Sequence, residues 1–134
     1  MRASQNLILA EKHWKSAQNL VFTVYPVVRD LKLLANALQR LSDALESAIG
    51  RQNVYKQAQI QGLPKPYREM AERIATLASY HRKSLLEFKR NNRLVLYVDN
   101  DKTEEFSLED IRDWVGRTRN LIDLLKLRKN ADKI

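Results

Sequence analysis

Cysteine is absent from the 134 residues, which excludes disulfides, thiolate zinc sites, Fe–S clusters and thiol catalysis. Glycine and proline number only three each. The glycines, at positions 50, 62 and 116, cannot form a GxGxxG loop, a P-loop or a nucleophile elbow. So few turn formers also exclude collagenous and low-complexity chains and argue against a turn-rich all-β fold. Two histidines leave little room for a metal site. A di-iron bundle needs Glu-x-x-His pairs facing inward. Here Glu11 precedes His13 by two residues and Glu87 follows His81 by six, so neither pair fits. No run approaches the roughly 18 apolar residues of a membrane span. Arg2, Ser4, Gln5 and Asn6 at the start lack the apolar core of a signal peptide, so the expected location is cytoplasmic and no membrane partner is expected.

Hydrophobic residues at 44% and charged residues at 30% suit one globular domain over 1–134. The first helix is the clearest element. Ala3, Leu7, Ala10, Trp14, Ala17, Val21 and Val24 alternate spacings of four and three, with Ile8 and Leu20 widening the stripe. Ser4 suits its start, and Pro26 ends or kinks it near Tyr25. Asp30 suits the cap of a second helix with the stripe Leu31, Leu34, Leu38, Leu41, Leu45 and Ala48. That stripe continues past Gly50 as Gln52, Tyr55 and Gln59, so the helix is expected to run on towards Ala58. Gly62-Leu63-Pro64-Lys65-Pro66 is a breaker between two helical hairpins.

A third helix follows, with Met70, Ile74, Leu77, His81, Leu85 and Phe88 on its stripe. From Arg93 the pattern changes. Leu94 to Val98 is a short apolar, β-favouring run, followed by the turn-rich Asp99 to Lys102 and then Thr103 to Phe106. Ser107-Leu108-Glu109-Asp110 reads as a capping box with Asp in place of Glu. It opens a fourth helix through Ile111, Trp114, Val115, Thr118, Leu121, Ile122 and Leu125. The expected fold is all-α, an antiparallel four-helix bundle with a short β-hairpin or extended arm between the third and fourth helices.

Lysine and arginine number 24 against 16 acidic residues, giving +8 and favouring polyanion partners. The excess is largest over 61–92, with seven Lys and Arg against three Asp and Glu, and it reverses over 93–107. Arg82, Lys83, Lys89, Arg90 and Arg93 fall on one broad helical face if the third helix runs that far. Asn91 adds hydrogen-bonding groups and Tyr97 an aromatic ring, so these seven residues are the candidate RNA-binding set. The plainer reading is a solvated face compensated by Glu87 and the acidic arm of Asp99, Asp101, Glu104 and Glu105. His81, on a core stripe beside Arg82 and Lys83, reads as structural. The acidic cluster lacks the glycine and terminal glutamate of a Ca²⁺ loop and reads as a solvated turn. No catalytic residue, metal ligand or cofactor is expected.

Two long helices, a breaker, a third helix ending in Arg90-Asn91, a β-like link and a capped final helix resemble the HEPN superfamily, and Ala10-Glu11-Lys12-His13, Tyr25-Pro26 and Leu33-Leu34 resemble small archaeal helical proteins of that general kind. The resemblance implies a helical, dimeric protein that either cleaves RNA without metal or binds RNA or a nucleotidyltransferase-type partner. In that family an Arg is followed four to six residues later by His. Here Val95, Leu96 and Tyr97 stand where the His belongs. A non-enzymatic member is therefore expected. The alternatives are a ribonuclease or toxin component using Arg90, Arg93 and Tyr97, and a pure protein-interaction bundle. A strand over Leu94, Val95, Leu96, Tyr97 and Val98 is apolar on both faces. Those residues and Trp114 are accordingly the expected homodimer interface.

Overall fold

The computed structural model describes residues 3–49 and 63–132. The continuation of the second helix past Gly50, and Gly62 of the breaker, lie outside them. Helix α1 spans Ala3–Asn19 and continues through a π-helical turn, Leu20–Val24, into the short α2, Tyr25–Val28. Pro26 explains the irregular turn: it offers no N–H and crowds the carbonyl four residues back. The helix responds by widening, so the Tyr25 N–H reaches back five residues to the Leu20 carbonyl. Pro26 therefore distorts this helix without ending it. Arg29 ends it in the left-handed region at φ 56°, donating its N–H to the Tyr25 carbonyl at 2.7 Å.

Helix α3, Lys32–Ile49, starts where expected, because Asp30 Oδ1 accepts the Lys32 N–H at 2.9 Å. Helix α4 spans Lys65–Lys83, with Pro66 in its first turn where a missing N–H costs nothing. Helix α5, Leu108–Asp132, opens on the expected reciprocal cap. Ser107 Oγ accepts the Asp110 N–H at 3.1 Å, and Asp110 Oδ2 accepts the Ser107 N–H at 2.9 Å.

The all-α expectation is corrected between α4 and α5. The third helix stops at Lys83, and Ser84 is extended with ψ 137°. An antiparallel meander follows, made of β1 Leu86–Arg90, β2 Arg93–Asp99 and β3 Lys102–Ser107. Leu85 and Phe88 are therefore not helical. The protein is mostly helical with a small three-stranded sheet.

Helix α3 is central and touches α1, α4 and α5, with Leu34, Leu38, Leu41 and Leu45 at its buried seam. Trp14 fastens α1 to α5 by donating its indole N–H to the Val115 carbonyl at 2.8 Å inside the core. Glu11 and Lys126 make an ion pair further along the same helices. The sheet lays Leu94, Leu96 and Phe106 into this core from one face. Among the described residues no helix is long and apolar enough to cross a membrane, and no three His, Asp or Glu converge as metal ligands.

Candidate interaction surface

The basic residues grouped by the sequence are split by the fold. Arg82 and Lys83 end α4, beside the start of β1. Lys89, Arg90 and Arg93 lie at the other end of the sheet, around the β1–β2 turn. Asn91 and Asn92 form that turn, with φ 52° and 63°, as a two-residue hairpin loop requires. Asparagine tolerates this conformation better than most residues. Their structural task is thus the turn. Tyr97 shares the outer face of β2 with Arg93 but sits four residues along the strand, roughly 13 Å away. Its hydroxyl donates to Asn100 Oδ1 at 2.7 Å.

The arginines at the turn face an acidic partner. Glu105 on β3 receives Arg90 Nη2 at 2.7 Å and lies 2.9 Å from Arg93 Nε. Arg93 also reaches Asp110 Oδ2 at 3.6 Å. The Arg90 hydrogen bond is the main reason that the Glu105 carboxyl sits below its ordinary value of 4.5; the charges of both arginines add to it and partial loss of hydration opposes it. A carboxyl lowered on folding stabilises the fold above its ordinary value, and that contribution disappears as pH falls through the lowered value. Wild type should therefore unfold at higher temperature than Glu105→Gln at pH 7, and the two melting temperatures should converge below pH 4.5. A gap that stayed constant with pH would show that charge is not its source.

His81 and Glu87 form a second local cluster. His81 Nδ1 contacts Glu87 Oε2, and the Ser84 hydroxyl lies 2.7 Å from the same carboxylate oxygen. Ser84 and His81 thus share one oxygen of Glu87, and the serine does not bond the imidazole, so this is no nucleophile–base relay. It pins the α4–β1 corner.

The expected interface residues on β2 are covered by the chain itself. Leu94, Val95 and Leu96 are fully buried, while Tyr97 and Val98 are half-buried. Trp114 packs against the core, its ring 6.2 Å from that of Phe106. Exposed large apolar side chains occur on the helices, at Ile8, Leu9, Phe22, Val27, Val28 and Leu127, and in a further group at and just before β1. Leu85 is 81% exposed, Leu86 55% and Phe88 36%. Beside them, a groove of about 390 Å³ opens between β1 and the α2–α3 corner, lined by Val28, Leu31, Phe88 and Leu94 with Lys32 and Lys89.

The chain matches no family model, no curated protein and no solved structure. The signal for β1 was present in the sequence. Leu86 to Lys89 alternate apolar and polar, and Asn91-Asn92 stands one residue before the apolar run that starts at Leu94.

Proposed function

We propose that the chain is a non-enzymatic protein-interaction domain, a HEPN-like helical body whose sheet carries a docking strand, working as a cytoplasmic homodimer. One observation carries this reading. Among the exposed large apolar side chains, Leu85, Leu86 and Phe88 lie together at and just before the unpaired edge strand of the sheet, while Arg90 and Arg93 at the β1–β2 turn are held by the chain's own carboxylates. Exposed apolar groups on an open edge strand are surfaces that proteins otherwise avoid.

Absence of catalysis follows from the missing histidine. His81 belongs to the Glu87 corner at the far end of β1 from Arg90, so it does not complete the family's Arg–His pair. A second reading, RNA binding, is favoured by the +8 charge and by Lys83 and Lys89, which make no ion pair among the described residues. The nucleotidyltransferase-type partner that the resemblance implies would compete for the same docking strand.

Sedimentation equilibrium at micromolar concentration tests the proposal. A dimer is expected to persist, weakened only modestly, between low and moderate salt, because apolar and main-chain contacts are weakly screened. A monomer that is retained on immobilised RNA and released by salt would instead favour the second reading.

A further inference from the structure

We infer that two copies of the chain join through β1 in one register, with the two-fold axis at Phe88, to make a continuous six-stranded sheet. The inference rests on the self-association proposed above and specifies its geometry.

The sheet has two edges, and they differ. On β3, Arg73 Nη2 donates to the Glu105 carbonyl at 3.2 Å and Arg73 Nη1 pairs with Glu104 at 2.9 Å. A charged side chain lying on the strand in this way discourages a further strand. On β1 no other strand and no such cover lies against the outer edge among the described residues. β1 is the edge open to pairing.

The backbone then limits the register. Arg90 and Arg93 close a two-residue turn, so they exchange N–H and C=O bonds, and Phe88↔Val95 and Leu86↔Tyr97 follow by alternation. The N–H and C=O of Glu87 and Lys89 therefore point outward. A second β1 running antiparallel can bond only where outward residues meet outward residues. Within the strand the axis can then pass through Glu87, Phe88 or Lys89.

Charge selects among them. An axis at Glu87 sets Glu87 against Glu87, and an axis at Lys89 sets Lys89 against Lys89. Like charges directly opposite destabilise a sheet. An axis at Phe88 sets Glu87 against Lys89 of the second copy, and does so twice by symmetry. It also lays Phe88 on Phe88 with Leu86 diagonal to it, covering those two exposed side chains, and it overlaps all five residues of the strand. Sequence and backbone thus agree on one arrangement.

Charge exchange gives the test. Lys89→Glu alone, or Glu87→Lys alone, places like charges opposite at both pairs and should raise the dimer dissociation constant at least about tenfold. Mixing the two variants restores opposite charges at both pairs, so the mixture should form a heterodimer when sedimented together. Circular dichroism confirms folding of Glu87→Lys, which also gives up the His81 contact. Lys89→Pro supplies a second probe, since it removes an outward N–H and leaves the bonds to β2 in place. Restoration on mixing, with a monomeric Lys89→Pro, supports the register. A wild-type monomer would overturn the register together with the self-association reading. A wild-type dimer with Lys89→Glu and Lys89→Pro both still dimeric would overturn this interface and leave self-association standing. A mixture that stays monomeric would overturn the register as well.

Discussion

Phe106→Ala is expected to lower the stability of the folded chain by about 3–5 kcal/mol, the range for emptying a large buried aromatic site. Phe106 is fully buried on β3, opposite Leu94 on β2, and its ring meets Trp114 on α5. It is where the sheet joins the helical body. A domain of this size has about 5–15 kcal/mol of total stability, so the loss would be a large share of it. Chemical denaturation followed by circular dichroism measures the change. The variant should unfold at lower denaturant with an unchanged slope if the sheet and helices unfold together. A separate early transition, confined to strand signal, would show that the meander is a weakly coupled appendage. That outcome would also weaken the proposed role of β1, because a docking strand needs a firm backing.

Much of the helical body was legible in the sequence because burial and spacing agree there. Leu7, Ala10, Trp14, Ala17 and Val21 repeat at helical period and are buried on one stripe. Caps at Asp30 and Ser107 were legible because each is a local interaction between residues two or three apart. The third helix was overextended for a physical reason. Leu77, His81, Leu85 and Phe88 hold helical spacing, and the same stretch also supports alternation. Periodicity cannot choose between these two forms over so short a segment. Local contacts decide: the His81–Glu87–Ser84 cluster and the Asn91-Asn92 turn fold the chain back on itself, and of the two only the turn has a sequence signal. The same ambiguity reaches the candidate site. Arg82, Lys83, Lys89, Arg90 and Arg93 share a face only if the helix continues past Lys83.

The neutralised turn shows the same limit. Sequence spacing placed acidic residues 99, 101, 104 and 105 on an arm after the basic run, and it raised compensation of charge as one reading. The specific pairing of Glu105 with Arg90 and Arg93 depends on the strand order β1-β2-β3, which brings residues fifteen positions apart onto one face. An excess of +8 over the whole chain is thus compatible with little free positive charge at this turn.

Val95→Asp and Leu86→Asp are expected to act in opposite ways, although both place a charge in the same sheet. Val95 is fully buried between its cross-strand neighbours Phe88 and Glu105. A carboxylate there has no cation assigned to it and loses its water, a penalty of several kcal/mol even after relaxation. Glu105 beside it would add repulsion. Val95→Asp should therefore lose cooperative thermal unfolding altogether, with dissociation only a by-product. Leu86 is half exposed on the same outer face, so Leu86→Asp keeps its hydration and should change stability by no more than about 1 kcal/mol. What it removes is apolar surface at the proposed contact with the second copy. Thermal melts combined with sedimentation at micromolar concentration separate the two effects: a folded monomer is expected for Leu86→Asp and an unfolded chain for Val95→Asp. A folded, monomeric Val95→Asp beside a dimeric Leu86→Asp would move the interface from β1 back to β2, where the apolar run Leu94–Val98 first suggested it.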